Sequence, residues 1–275
     1  MSSLISIITP LYNTGHLVSE TIESVLKQSY LNWELIIVDD CSQDNSAEIV
    51  KKYIQNDNRI KLFEFTENKG CATARNYAIK IAKGEFIAFL DSDDLWHEDK
   101  LSVQIDYMSR NSVFATHTSY IKFYNTNKRP KTIGAIRKID YNRMLCGNPI
   151  GCLTFVYNQS VLGKFYFDKD YLISEDYAAW IDISRRCEIV GIDKVLAFYR
   201  VHHGGKSSKK YKPAIDTWNI LYVKENLGLF KTIYYFSKYL LNYVKKECSI
   251  TFPPDSQPSI KSSLPLLIPT INSSF

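Results

Sequence analysis

The run Phe86-Ile87-Ala88-Phe89-Leu90-Asp91-Ser92-Asp93-Asp94 decides the reading of this chain. Five apolar residues in a row describe a strand buried on both faces, as inside a parallel sheet. Three carboxylates then follow within four residues. Ionised groups at the end of a buried strand are costly unless a cation or ligand compensates them. Asp-x-Asp spacing lets two carboxylates reach one divalent ion and its diphosphate. Mg2+ or Mn2+ prefers one or two carboxylates plus phosphate oxygens to a full protein cage. An isolated pair of this kind is more often a set of solvated turn acids, and Asp94 is placed to cap the helix that follows.

Upstream of this run, strands and helices alternate. Residues 4–9 form a short apolar strand. Residues 16–29 carry Leu17, Val18, Ile22, Val25 and Leu26 at helical spacing. Residues 34–38 are again an apolar strand, ending in Asp39-Asp40, and Asp44 is placed to cap a helix reaching about Gln55. A third strand spans 59–65, and a helix over 73–83 stops at Gly84. The alternation predicts an α/β fold: a mostly parallel, Rossmann-like sheet flanked by helices, with ligands at the carboxyl ends of the strands. Two acidic clusters ending two neighbouring strands favour a binding site over solvated turns.

Downstream the rhythm loosens. Residues 99–110 read as a helix, 113–116 and 154–157 as strands, and 122–138, rich in Lys, Arg, Asn and Thr, as a mobile loop. A helix over 176–187, a strand over 194–199 and a helical extension over 212–248 follow. The Pro- and Ser-rich stretch 251–275 reads as a loose tail. The expected division is 1–110 and 111–207 as two halves of one fold, 208–248 as a basic helical extension, and 249–275 as the tail.

With 275 residues the chain is long enough for one substantial core plus appendages. The first residues lead straight into a strand with no signal-peptide pattern. The longest charge-free run, 144–163, is broken by Gly147, Asn148, Pro149 and Gly151, so it does not read as a membrane span. Six cysteines without a CxxC pair read as reduced thiols in a cytosol. No GxGxxG fingerprint points to a nicotinamide enzyme. A nucleotidyltransferase would need a Gly-rich basic loop near the first strand, and none is present.

The order of the motifs resembles the family 2 glycosyltransferases. The resemblance rests on Leu4 to Asn13, Ser24 to Tyr30, and Glu34 to Asp44. It continues through Asn68-Lys69-Gly70, Ala74-Arg75-Asn76, Phe89 to Asp94, Ser174-Glu175-Asp176-Tyr177 and Tyr199-Arg200-Val201-His202. It covers about residues 4–207 and implies the GT-A fold, a nucleotide-binding half continuous with an acceptor-binding half. It also implies a UDP-sugar donor and a Mn2+ or Mg2+ ion. By the same resemblance Pro10, Tyr12 and Asn13 flank the base and ribose, Asp40 accepts from the uracil with Asp39 behind it, and Arg75 lies near the nucleotide. Asp91 and Ser92 meet the ribose or donor sugar. Asp93 and His202 are the metal residues, with His203 an alternative to His202. Asp176 is the catalytic base, with Glu175 beside it.

The implied reaction is inverting hexosyl transfer to a saccharide, carried on a polyprenyl diphosphate during surface-polysaccharide synthesis. A nucleotidyltransferase and a non-catalytic nucleotide-sugar-binding protein are the alternatives. No nucleic-acid partner is expected. Residues 206–248 hold nine lysines against Asp216, Glu225 and Glu247, while the first 205 residues are close to neutral. Lys224, Lys231, Lys238 and Lys245 recur every seven residues among aromatic and aliphatic side chains. That pattern suits an interfacial helix on anionic lipid, or alternatively a helix packed on the domain or on a second subunit. The expected location is cytoplasmic, peripheral on the inner face of the membrane.

Overall fold

The computed structural model describes residues 2–124, 129–171, 174–201 and 212–248. Four strands build the first half of the sheet: β1 (Ile5–Leu11), β2 (Trp33–Asp39), β3 (Ile60–Glu64) and β4 (Phe86–Phe89). They pair in parallel in the order β3-β2-β1-β4. Every residue of β1, β2 and β4 is buried, as expected of largely apolar strands inside a parallel sheet. Helices α1 (Gly15–Leu26), α2 (Ser46–Ile54) and α3 (Cys71–Ile81) connect them. Asp44 ties the first two helices at their starts, accepting from the amides of Ser46 at 3.0 Å and Gly15 at 2.9 Å.

Beyond β4 the sheet becomes mixed. After the short β5 (Leu95–Trp96) and helix α4 (Lys100–Asn111) comes β6 (Ala115–Tyr124). Strand β9 (Val156–Asn158) lies antiparallel between β4 and β6, and β10 (Ile189–Val201) runs parallel to β6. Two reversals restore the original direction, so β1, β2, β4, β6 and β10 all deliver their carboxyl ends to one edge. That edge is where an open sheet of this type presents its ligands.

Several expectations need correction. The segment 122–138 is not simply a loop. Strand β6 extends to Tyr124, β7 (Lys131–Ile133) pairs with it antiparallel, and β8 (Lys138–Ile139) pairs with β10. Its polar composition is that of edge strands, whose charges keep the free edge from pairing with another chain. Asp94 caps no helix. It is buried and accepts from the Arg200 amide at 2.8 Å, while α4 starts six residues later. Gly84 lies beyond the end of α3 and is there for space, since a Cβ would stand 2.5 Å from the Ser6 amide nitrogen.

Helix α5 (Tyr141–Leu145), the short α6 (Gln159–Leu162) and α7 (Glu175–Ser184) cover the second half. Helix α7 is seated by Trp180, whose ring centroid lies 4.0 Å from that of Phe155 and 5.5 Å from that of Phe89. The helices expected over 212–248 are present, as α8 (Lys212–Asn219), a π-helical turn (Ile220–Lys224) and α9 (Gly228–Cys248). The break coincides with positive φ at Asn226 and Gly228. The corner is strapped to the body. Lys224 bonds Asp182 at 2.7 Å, and Glu225 takes both Arg185 and the Tyr141 hydroxyl. Among the described residues no helix is long and apolar enough to cross a membrane.

Candidate active site

The shared strand edge holds a pocket of about 580 Å³. Strand β1 contributes Pro10 and Tyr12, β2 leads into Asp40, and the turn after β4 supplies Asp91, Ser92, Asp93 and Asp94. Arg75 enters from α3, Glu175 and Asp176 from the first turn of α7. Residues as far apart in the chain as Pro10 and Val201 thus line the same cavity, because parallel strands leave at one edge.

Each wall has a distinct electrostatic character. Tyr12 stands at the mouth, 47% exposed, with its ring open to solvent. Asp40 is buried and its two oxygens accept from the amides of Lys69 at 2.6 Å and Gly70 at 2.8 Å. A carboxylate has about four lone-pair sites, so two amides leave acceptor capacity towards the pocket. Arg75 is a buried bolt across the site: one nitrogen reaches Asp91 at 2.5 Å, the other Glu175 at 3.2 Å. It joins the end of β4 to the start of α7 and so holds the two halves of the pocket together.

The two acids of α7 therefore differ. Glu175 is buried and engaged with Arg75. Asp176 is half-buried, accepting from the Tyr177 amide at 2.7 Å and from the Asn148 side-chain amide at 3.1 Å. Burial, reinforced by the Glu175 charge, lifts its carboxyl to about 7 against the pull of Arg75 and these two donors. An acid that exchanges its proton near neutrality is suited to general-base work.

The Asp91–Asp94 turn is the acidic part of the pocket and the place a divalent cation would bind. Among the described residues no three His, Cys, Asp or Glu side chains form a preformed cage. What the turn offers is a crowd of hard oxygens. Burial and the charges of Asp93 and Asp91 push Asp94 well above the carboxylate range, and its Oδ2 has no hydrogen-bond partner. Excess negative charge with an incomplete ligand set fits an ion that completes its shell on ligand phosphates.

Two residues expected at the nucleotide stand behind the pocket. Asp39 spends its carboxylate on Ser42, accepting from its amide at 3.2 Å and from its hydroxyl. Asn13 takes a left-handed backbone, φ 51°, which asparagine tolerates, and its side-chain oxygen accepts from the Gln43 amide at 2.8 Å. Both shape the loop that presents Tyr12 and Asp40. Ser92 is buried and accepts from the Thr14 hydroxyl at 2.9 Å, so it too braces the turn. His202 and His203 lie outside the described residues.

Arg200 went unassigned in the sequence and proves central. Its guanidinium donates to the Asp93 carbonyl at 2.9 Å and to Glu20 at 2.6 Å, fixing the acidic turn from β10. Lys122, Tyr120 and Tyr199 also line the pocket from β6 and β10. The only sequence hint was Arg200's place inside a late motif, since nothing local announces its pairing with Glu20.

Comparison with known proteins bears on this geometry. Residues 6–164 match the family model described as glycosyl transferase family 2. The Escherichia coli protein described as UDP-Glc:alpha-D-GlcNAc-diphosphoundecaprenol beta-1,3-glucosyltransferase WfgD is 40% identical, across 88% of this chain and 94% of its own length. The putative teichuronic acid biosynthesis glycosyltransferase TuaG of Bacillus subtilis is 36% identical across 88% and 97%. Among solved structures, residues 1–349 of S. aureus TarS in complex with UDP-GlcNAc superpose with a TM-score of 0.65. That match covers 86% of this chain and 71% of that one at 22% identity, a likeness of fold.

Proposed function

This chain belongs to glycosyl transferase family 2 and is a glycosyltransferase, and from that premise we propose that it moves a hexose from a UDP-sugar to a hydroxyl of a lipid-linked saccharide, with inversion. The observation that carries the reading is the convergence of Asp40, Asp91, Asp93 and Asp176 on one pocket. The alternatives lack comparable support: the acids this reading needs all line the pocket, and no phosphate-cradling Gly-rich loop follows β1.

In this reading Tyr12 stacks on the uracil, a contact worth about 1–3 kcal/mol in other base-binding sites. Asp40 accepts from the base. Asp91, held by Arg75, takes the ribose or donor sugar. Asp93, joined by the donor's diphosphate and with His202 as a further candidate, would hold Mn2+ or Mg2+. When bound, such an ion neutralises the charge of the leaving diphosphate. Asp176 removes the proton from the acceptor hydroxyl as that oxygen attacks the anomeric carbon and the bond to UDP breaks. One base, with no second carboxylate acting as nucleophile, gives a single displacement and inverts the centre.

WfgD supplies the first substrates to try, UDP-glucose and an α-GlcNAc-diphosphate lipid. UDP release in Mn2+ should depend on that acceptor, and kcat/KM should climb with pH through about 7 as Asp176 ionises. Asp176→Asn should keep nucleotide binding and lose about 10²- to 10⁴-fold in turnover. Undiminished turnover in that variant removes Asp176 as base, and full activity of Asp93→Ala in chelator removes the cation. For a lipid-linked acceptor, peripheral contact of α9 with the cytoplasmic face of an anionic membrane is part of the same proposal. Its support is the helix's outward face, where Phe230 is 88% exposed beside Lys231 and Lys238.

A further inference from the structure

The loop between α5 and β9 reaches Asp176 from an element other than its own helix. Asn148 stands on it with both ends of its amide committed. The carbonyl oxygen accepts from the Ile150 amide at 3.0 Å, which leaves the NH2 group facing Asp176 Oδ2 at 3.1 Å. The amide orientation is therefore fixed by the loop's own backbone. The other Asp176 oxygen is held by the Tyr177 amide, 2.7 Å away on its own helix. Asn148 is thus the contact through which a different element constrains the carboxylate.

The loop is in turn seated from outside. Asn242 of α9 donates to the Cys146 carbonyl at 3.1 Å. Tyr239 of α9 lies flat enough against Gly147 that a Cβ there would meet its ring at 3.1 Å, and Gly147 has φ +120°, a backbone suited to glycine. From beneath, the Tyr177 hydroxyl donates to the Leu145 carbonyl at 3.2 Å. A chain of direct contacts therefore runs from the C-terminal helix through residues 145–148 to the catalytic carboxylate.

We infer that Asn148 is the positioning residue of the Asp176 base, and that α9 keeps it in register by seating the Cys146–Asn148 loop. The inference rests on the reading of Asp176 as base. Its consequence is that the helix proposed to touch the membrane also sets the geometry at the reacting hydroxyl. A misplaced base loses rate while the donor subsite is untouched, because Tyr12, Asp40 and Asp91 sit on other elements.

The informative variant is Asn148→Asp. It retains an oxygen for the Ile150 amide, so the loop keeps its fold, but it presents an acceptor where Asp176 needs a donor. The other groups facing Asp176 are unchanged: Glu175 on its own helix, Arg75 from α3, Cys152 from the turn before β9 and Tyr120 from β6. Loss of the donor and gain of a neighbouring negative charge both favour the protonated acid. With UDP-glucose, the lipid acceptor and Mn2+, the variant should lose about 10- to 100-fold in kcat. The KM for UDP-glucose should hold, and the acid limb of the rate profile should move to higher pH. Asn242→Leu, which leaves Asn148 intact, should lower kcat in the same way with an unchanged donor KM.

A wild-type kcat and an unmoved acid limb in Asn148→Asp would overturn the positioning role. A wild-type kcat in Asn242→Leu would overturn the part given to α9. Asp176→Asn measured alongside separates the levels. If that variant stays active, the base reading fails and carries this one with it. If it is inactive while Asn148→Asp is normal, only the present inference falls.

Discussion

Lys100 is completely buried, its amine 2.6 Å from Gln104 Oε1 and 4.2 Å from the centre of the Trp96 ring. Burial drives it well below its ordinary value of 10.5, with no carboxylate among its contacts to oppose the shift. The unfolded chain therefore binds a proton at this site that the folded chain gives up more readily. Stability contributed here rises with pH, from the folded value up to the ordinary lysine range, by up to about 1.4 kcal/mol per pH unit. Lys100→Met, similar in length and apolar, should remove that slope and be at least as stable as the parent at pH 7. Urea unfolding at pH 7, 8.5 and 10 would measure it, and an identical pH dependence in both proteins would refute the assignment. The residue scale also shows what was illegible in sequence. Motif order singled out Asp40, Asp91, Asp93 and Asp176, and all four line one pocket. It could not separate Asp39 and Asn13, which carry the same motif but spend their side chains on the loop, from residues that face the cavity. Nor could it find Arg200 and Asn148, whose partners Glu20 and Asp176 are distant in sequence and leave no local pattern.

Among the elements, α7 carries both Glu175 and Asp176, and its footing is aromatic. Trp180 is buried against Phe155, Phe89 and Phe167, rings contributed by the turn before β9, by β4 and by the segment before α7. Truncating it leaves a cavity too large for those rigid rings to fill. Trp180→Ala should cost about 3–5 kcal/mol in unfolding free energy, with activity lost in parallel as α7 loses its seat. A urea midpoint within error of the parent would show that the helix is held by something else. The same scale explains which elements were readable. Strands β1, β2 and β4 announce themselves because both faces are buried and apolar residues dominate them, the few polar ones being satisfied inside, as Ser6 is by Glu34. Strands β7 and β8 hide because an edge strand is half solvent and carries the lysines and threonines of a loop. The long C-terminal run read as helical without internal boundaries, because its apolar residues continue through Leu221 to Leu227. The break there is made by backbone conformation at Asn226 and Gly228 and by the ion pairs of Lys224 and Glu225, which periodicity does not encode.

Across the whole molecule, charge and apolar exposure are concentrated together. The first 205 residues are near neutral, whereas 206–248 carry an excess of six positive charges. Helix α9 turns Thr232, Tyr235, Phe236 and Tyr239 inward, which leaves Phe230, Ile233, Tyr234, Leu240 and Leu241 outward on the opposite face. At 100° per residue Lys231 and Lys238 fall along one flank of that outward stripe. Lys224, the expected first member of the lysine series, is instead consumed by Asp182 on the body. A helix with an apolar stripe bordered by lysines inserts shallowly into a bilayer interface, and each lysine near an anionic surface adds about 1 kcal/mol. The whole protein should therefore float with vesicles containing phosphatidylglycerol, less with purely zwitterionic vesicles, and less as salt screens the attraction. Phe230→Asp combined with Leu241→Asp should abolish flotation while leaving UDP-glucose binding intact, since neither residue approaches the pocket. Equal flotation of parent and variant, or none by the parent at low salt, would mean that the outward stripe of α9 meets something other than lipid.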